Sequence, residues 1–220
     1  PCRPYVYKWS NMSVIGVVNY GCGNIQSVLN AIEFLGYESR LIENKEQLFL
    51  CQKVILPGVG AFDYAVDALH SKGLFTALQE WSKEQSNQLL GICLGMQLLC
   101  GGSDESLKNK KGLNLIDGQV LSLSKKIQND EKIPHMGWNA IKLIDNKVFS
   151  KECNKHDYYF IHSYAVFVNN ERFGLAKTSH GNTLFSSMIT NGENVYGVQF
   201  HPEKSHYNGL NLLRDFITNA

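Results

Sequence analysis

One cysteine lies inside a nearly apolar stretch, between two glycines. Residues 89–99 read LLGICLGMQLL, in which Cys93 is flanked by Gly91 and Gly95. This is the pattern of a nucleophile elbow, a sharp turn from strand to helix, with cysteine in place of serine. The glycines leave room for so crowded a turn, and the start of a helix favours a thiolate there. The alternative is that Cys93 packs as a small hydrophobe and the glycines only mark close packing.

A base and a carboxylate occur together near the end of the chain. The segment VYGVQFHPEKS (195–205) places His201 at the end of a strand and Glu203 two residues later. Pro202 restricts the backbone between them, and strand alternation can place both side chains on one side. A carboxylate beside an imidazole fixes its tautomer, as in a nucleophile–base–carboxylate triad. Without Cys93, the same residues would indicate only an exposed strand end.

A third segment, LPGVG (56–60), indicates an oxyanion-binding loop. A glycine-rich loop after a strand can direct a backbone N–H at a developing oxyanion, and the N–H of Leu94 would be the second donor. The alternative is a simple turn.

Alternating strands and helices must position these residues. Short apolar strands at 14–18, 39–42, 53–60 and 88–93 alternate with helical patterns at 25–35, 63–85 (broken near Gly73) and 94–100. Continuous apolar strands predict an α/β fold with an open, mostly parallel, twisted sheet flanked by helices. After residue 112, short strand-like runs separated by turns predict antiparallel strands added in the C-terminal half, before a closing helix at 207–217. The runs are GQVLSLS, WNAIKLI, YYFIHSYAVFV (158–168), TLFSSMI and VYGVQF.

Composition excludes several classes of function. The 220 residues are 44% hydrophobic and 19% charged, with a net charge of +1. This predicts no nucleic-acid partner, and no apolar run reaches the roughly 20 residues that span a bilayer. The six cysteines form no CxxC pair, so we expect free thiols in the cytoplasm and no metal. Residues 1–11 precede Met12, lack an apolar signal core, and are expected to be a poorly ordered leader or cloning remnant.

Several motifs together resemble the class I glutamine amidotransferases. They are GICLGMQLL, QFHPEKS and LPGVG. Within that class the chain is most similar to the glutaminase subunits of imidazole glycerol phosphate synthase, from histidine biosynthesis. That narrower similarity rests on NYGCGNIQSVLNAIEFLG, LPGVGAF, GLNLIDGQV, PHMGWN and YYFIHSY. PHMGWN discriminates best, because glutaminase chemistry in general does not need it.

The resemblance implies a fold, a reaction and a set of site residues. It implies a flavodoxin-like sheet and one amidotransferase domain over residues 13–220. The implied triad is Cys93, His201 and Glu203, and the implied oxyanion loop contains Gly58 and Gly60. The residues implied to contact glutamine are Gln97, Glu105, His162, Ser163 and Tyr164. Those implied to lie near the partner interface are Asn24, Met136, Trp138 and Tyr159.

The sequence departs from the family's pattern at two positions away from the triad. Asn19 stands where members often have Asp, and His206 follows HPEKS where a small polar residue is common. Both could alter the interface. Among the remaining histidines, His135 and His162 lie in family motifs and are expected to shape loops. We expect His70, His156 and His180 to be solvated.

The resemblance implies that glutamine is hydrolysed to glutamate and ammonia without a cofactor. The ammonia would pass to a separate (β/α)₈-barrel cyclase subunit, in a heterodimer that makes imidazole glycerol phosphate and aminoimidazole carboxamide ribotide. Two alternatives remain open. The chain could be a paralogous glutaminase that supplies another synthase, such as one that amidinates a surface sugar, or a non-catalytic regulatory subunit on the same fold.

Overall fold

The computed structural model describes residues 14–126, 132–144 and 147–220. The leader predicted at 1–11 lies outside these residues. The strands are β1 (Ile15–Val18), β2 (Ser39–Ile42), β3 (Lys53–Gly58), β4 (Gln88–Cys93), β5 (Gly118–Ser122), β6 (His135–Ala140), β7 (Lys142–Leu143), β8 (Asp157–His162), β9 (Tyr164–Val168), β10 (Gly174–His180), β11 (Thr183–Thr190) and β12 (Val195–Val198). The helices are α1 (Ile25–Phe34), α2 (Lys45–Leu48), α3 (Phe62–Ser71), α4 (Leu74–Trp81), α5 (Leu94–Leu98) and α6 (His206–Asn219).

The main sheet has a parallel half and an antiparallel half. Its strand order is β2-β1-β3-β4-β12-β11-β10-β7, and the first five strands are parallel. From β12 onward the neighbours are antiparallel, and β9 connects β5 to β11. The predicted fold class is therefore confirmed. In such sheets the site lies beyond the carboxyl ends of the parallel strands, which is where Cys93 ends β4.

Both faces of the central parallel strands β3 and β4 are covered, which explains why their sequences are mostly apolar. Val54 and Leu56 of β3 pack into the core on the side of α3 and α4, whereas Ile55 between them packs into the core that contains α1 and α6 residues. Leu89 and Leu90 of β4 divide in the same way. Fully buried parallel strands have no polar face to alternate with.

The C-terminal half differs from the sequence prediction in its pairing. The run 158–168 reads as one strand but is divided at Ser163 into β8 and β9. β8 pairs with β6 in a separate two-stranded sheet, whereas β9 joins the main sheet. β10 was not predicted, because its sequence GLAKTSH contains no continuous apolar run. Among the residues described, no helix is long and apolar enough to cross a membrane.

Close packing of α5 on the sheet depends on the two elbow glycines. A Cβ at Gly95 would lie 1.8 Å from the carbonyl oxygen of Leu56 in β3, and one at Gly91 would lie 2.7 Å from Gly95. Backbone atoms cannot move away as a flexible side chain can. The glycines therefore allow the helix to start directly after Cys93, so close packing and a nucleophile elbow describe the same geometry.

Gly95→Ala is expected to destabilise the protein by at least about 3 kcal/mol, because the methyl group would collide with the β3 backbone. Urea denaturation would measure the change in the free energy of unfolding. Gly102→Ala is the matched control, since a Cβ there meets no atom within 4 Å and should change stability by less than about 0.5 kcal/mol. Equal stability of the two variants would contradict the close approach.

Candidate active site

Cys93 occupies a strained position between β4 and α5. Its backbone angles are φ 53° and ψ −108°, a left-handed conformation that residues with a side chain rarely adopt. The residue is only 6% exposed, yet it lines a cavity at the carboxyl edge of the sheet. Strain at a position with a reactive side chain is typical of a nucleophile elbow.

His201 and Glu203 are held beside each other just beyond β12. His201 Nδ1 lies 2.7 Å from Glu203 Oε1, and both side chains are 2% exposed. The backbone around them is anchored, because the N–H of His201 donates to the carbonyl of Tyr159 and Ser205 Oγ donates to the carbonyl of His201. The imidazole orientation is therefore fixed by its surroundings before any substrate binds.

The surroundings of His201 favour its protonated form. Burial alone would lower the pKa of this imidazole, but the Cys93 sulfur and the Glu203 carboxylate outweigh burial and raise the pKa to about 10. Nε2 of His201 has no hydrogen-bond partner among the atoms that the structure describes. The free nitrogen and the neighbouring sulfur are the arrangement that proton transfer between a thiol and a base requires.

A cavity of about 410 Å³ brings most of the predicted site residues together. Its lining includes Cys93, His201, Gly60, Leu94, Gln97, Glu105, His162, Ser163 and Tyr164. Two predicted residues are absent from this lining, Glu203, which contacts His201 Nδ1, and Gly58. Gly58 pairs with Cys93 across the sheet but faces inward, where a Cβ would lie 2.6 Å from the Tyr20 hydroxyl and 2.8 Å from the Gly95 nitrogen.

Gly60 and Leu94 provide backbone N–H groups at the cavity. Gly60 lines the cavity with φ 109°, a conformation that glycine adopts more readily than residues with a side chain. Leu94 is the first residue of α5 and follows the sulfur directly. Donors at these two places suit an oxyanion that forms on a carbonyl attacked by Cys93.

Glu105 supplies a carboxylate to the cavity. Burial raises the pKa of this side chain, although its Oε2 accepts a hydrogen bond from the Phe62 N–H at 3.2 Å. Glu105 lies in the loop after α5, and its half-buried carboxylate, beside the first N–H of α3, can bind an ammonium group such as that of a free amino acid.

Gln199 is a site residue that the sequence reasoning missed. Its side chain is fully buried, and its Nε2 donates to Cys93 Sγ at 3.7 Å. Its Oε1 accepts from Gln97 Nε2 at 3.3 Å. The only sequence signal is its place in QFHPE, two residues before His201.

The predicted interface residues lie outside the cavity, on a mostly exposed face. Met136 and Trp138 are 59% and 48% exposed on β6, and Trp138 meets Tyr159 edge-on with ring centroids 6.1 Å apart. His206, one of the two departures, has its ring stacked on Trp138 at 5.1 Å. The fourth predicted residue, Asn24, is half-buried at the start of α1.

The other departure and the remaining histidines have ordinary surroundings, with one exception. Asn19 donates to Glu43 Oε1 at 2.8 Å. His70 and His156 are exposed, as expected. His180 is half-buried instead of solvated, because its ring packs against that of His135 with centroids 4.3 Å apart.

The cavity beside Cys93 is not the most voluminous one. A cavity of about 730 Å³ opens beside the loop after α5 and is lined by Gly101, Asp104, Lys111, Asn114 and others. Its lining contains no cysteine or histidine, so it offers no thiol–imidazole pair.

The family predicted from the motifs is confirmed by comparison with known proteins. The model of the class-I glutamine amidotransferases matches residues 16–220. Imidazole glycerol phosphate synthase subunit HisH 2 of Methanococcus maripaludis is 39% identical, over 94% of this chain and 100% of that protein. Subunit HisH of Leptospira interrogans is 34% identical, over 93% and 100%.

Solved structures at lower identity share the fold. The structure of PurLQS from Thermotoga maritima superposes with a TM-score of 0.71 at 18% identity, over 94% of this chain and 98% of that one. A putative GMP synthase protein from Thermoplasma acidophilum gives 0.69 at 18% identity, over 94% of each chain.

Proposed function

Because the chain belongs to the class-I glutamine amidotransferase family, we propose that it is the glutaminase subunit of an imidazole glycerol phosphate synthase. One observation carries the chemistry. The strained Cys93, His201 with its partner Glu203 behind it, and the residues Gly60 and Leu94 that carry the backbone N–H donors come together at one cavity, of which all but Glu203 form part of the lining. The relatives named as HisH subunits, matched over almost the whole of both chains, support the pathway.

The first half of the reaction forms a glutamyl thioester. The Cys93 sulfur attacks the side-chain carboxamide carbon of glutamine, and the carbonyl oxygen becomes an oxyanion. The N–H groups of Gly60 and Leu94 stabilise that charge, and one such donor is typically worth about 10²–10³ in rate. Protonated His201 gives its proton to the nitrogen, and ammonia leaves as the thioester forms.

The second half releases glutamate. His201, now neutral, takes a proton from water, which attacks the thioester through the same oxyanion geometry. The sulfur leaves and glutamate is formed, so one glutamine and one water give one glutamate and one ammonia. Glu203 holds Nδ1 of His201 throughout, which leaves Nε2 as the atom that exchanges protons.

The ammonia needs a sheltered acceptor, which this chain does not supply by itself. We place a (β/α)₈-barrel cyclase subunit on the exposed face around Met136 and Trp138, beside the cavity that contains Cys93. The five cysteines within the described residues are all free, which fits a reducing cytoplasm. We assign residues 13–220 to a single amidotransferase domain.

Reconstitution tests the assignment. The purified chain is incubated with L-glutamine alone, then with a histidine-pathway cyclase subunit, and then with cyclase and ribotide, while glutamate and ammonia are measured. We expect turnover to be highest in the full mixture. An ammonium salt given to the cyclase and ribotide verifies that the cyclase is active.

Two outcomes would contradict the proposal at different levels. A rate of glutamine turnover that is the same with and without the cyclase and ribotide would favour the paralogue that supplies another synthase. Absence of turnover in every mixture, with an active cyclase, would favour a non-catalytic subunit.

A further inference from the structure

Two buried histidines that the reaction does not use lie side by side at the cavity wall. His135 of β6 and His162 of β8 are paired across the two-stranded sheet and are 4% and 6% exposed. The rings of Phe160 and Phe185 pack against both of them. His162 also lines the cavity, so this pair connects β6 to the substrate pocket.

The proton position on His135 follows from Asn139. The Asn139 Oδ1 accepts from the Ala140 N–H at 2.8 Å, and its NH₂ donates to the carbonyl of Ser179 at 2.9 Å. The amide orientation is therefore fixed, and the NH₂ faces His135 Nε2 at 3.1 Å. Nε2 must accept, which places the proton of a neutral His135 on Nδ1.

The proton position on His162 follows from its hydrogen bond to the Tyr164 carbonyl. Its Nδ1 lies 2.8 Å from the carbonyl oxygen of Tyr164, and because a carbonyl only accepts, Nδ1 must carry the proton. Its Nε2, 3.0 Å from His135 Nδ1, then accepts from that N–H. The argument from Asn139 and the argument from Tyr164 therefore agree that His135 donates to His162. Burial also lowers the pKa values of His135 and His162, to about 4 and about 3, and so keeps both rings neutral.

The chain of hydrogen bonds continues from Tyr164 to the nucleophile. The Tyr164 carbonyl also accepts from Gln97 Nε2 at 3.0 Å, and the same NH₂ donates to Gln199 Oε1 at 3.3 Å. Gln199 must then present its own NH₂ to Cys93 Sγ, at 3.7 Å. Turning either glutamine amide over would set two donors or two acceptors against each other.

We propose that His135 is a positioning residue, which through His162 holds in place the Tyr164 carbonyl from which Gln97, Gln199 and finally the Gln199 N–H at Cys93 Sγ are oriented. By donating to His162, it holds that ring in the one tautomer that binds the Tyr164 carbonyl. The carbonyl in turn orients Gln97, and Gln97 orients Gln199. An N–H directed at sulfur stabilises a thiolate more than a thiol, so the effect reaches the reacting atom. The expected effect on kcat rests on the proposed glutaminase reaction, whereas the tautomer and the alkylation rate do not.

The wild-type protein provides the first test. Long-range ¹H–¹⁵N correlation spectra of the histidine-labelled chain distinguish the two tautomers of a neutral imidazole. We expect His162 to carry its proton on Nδ1 and to remain neutral at pH 5. A proton on Nε2 of His162 would overturn the proposal without the need for any variant.

A pair of variants with the same shape isolates the donor. Asparagine and leucine branch alike at Cγ, but the side-chain amide of H135N restores an N–H close to the place of Nδ1, whereas leucine provides none. We therefore compare H135N with H135L. We expect H135L to lose the single His162 tautomer and to lower both kcat and the rate of Cys93 alkylation by iodoacetamide about tenfold, whereas H135N recovers most of both.

The control and the contradicting results are distinct from those of the proposed function. His180→Leu removes the ring beside His135 without removing a link of the hydrogen-bond chain. In this variant Cys93 should be alkylated at the wild-type rate. Equal alkylation of Cys93 in H135N and H135L would refute the positioning role. If glutamine is not hydrolysed at all while the tautomer and the alkylation difference are as expected, the proposed function fails and the hydrogen-bond chain stands.

Discussion

Replacement of Cys93 by alanine is expected to abolish glutamine hydrolysis, with a loss of at least about 10⁴-fold in kcat. The sulfur forms the bond to the substrate. Among the residues that line the cavity, Cys93 is the one non-glycine residue with a positive φ, so no other side chain takes the place of the elbow nucleophile. The remaining oxyanion donors and binding groups cannot replace a covalent intermediate. Glutamate release, measured with saturating glutamine and the cyclase subunit present, gives the rate.

A covalent probe identifies the sulfur that reacts. A chloroketone analogue of glutamine should modify Cys93 in the wild-type chain and leave C93A unmodified, as read by peptide mass spectrometry. Cys51→Ala is the matched control, because Cys51 is also a buried thiol but lies before β3, at the opposite end of the sheet. It should retain both labelling and turnover. Equal labelling of Cys22 or Cys100 would show that the nucleophile has been assigned wrongly.

The parts of the site that could be predicted from the sequence are those with a local cause. The elbow needs glycines two residues before and after Cys93, because α5 packs on the β3 backbone, and this requirement is visible within five residues. His201 and Glu203 are separated by a single proline, so their contact also depends on local geometry. The apolar parallel strands were predictable because burial on both faces leaves no polar alternation.

The parts that could not be predicted depend on register between distant strands. Gln199 contacts Cys93 across 106 positions of sequence, and its place two residues before His201 does not by itself indicate that contact. The division of 158–168 at Ser163 is also invisible, since both halves have the composition of a strand. That division places His162 opposite His135 and directs the next strand into the other sheet. The hydrogen-bonded residues behind the triad thus arise from topology, whereas the elbow at Cys93 and the His201–Glu203 pair each arise from local sequence.

Glu203→Gln is expected to lower kcat by about 10³–10⁴-fold although it changes neither the size nor the shape of the side chain. The carboxylate Oε1 accepts from His201 Nδ1–H, which leaves Nε2 as the exchanging atom. The amide can present its NH₂ to Nδ1 instead, and this favours the tautomer with the proton on Nε2, which cannot take a proton. Glu193→Gln, at an exposed carboxylate, is the matched control and should keep the wild-type rate.

The same variant has a pH-dependent effect on stability whose sign follows from His201. Burial lowers the pKa of this imidazole, but Cys93 and Glu203 together raise it to about 10, above its ordinary value of about 6.5. A raised pKa contributes stability that is fully present below pH ~6.5 and is lost as the pH rises through about 10. Without the carboxylate much of that contribution disappears. E203Q should therefore be less stable than the wild type by more at pH 6 than at pH 10, as measured by urea denaturation. A difference that is the same at both pH values would mean that Glu203 does not support a protonated His201.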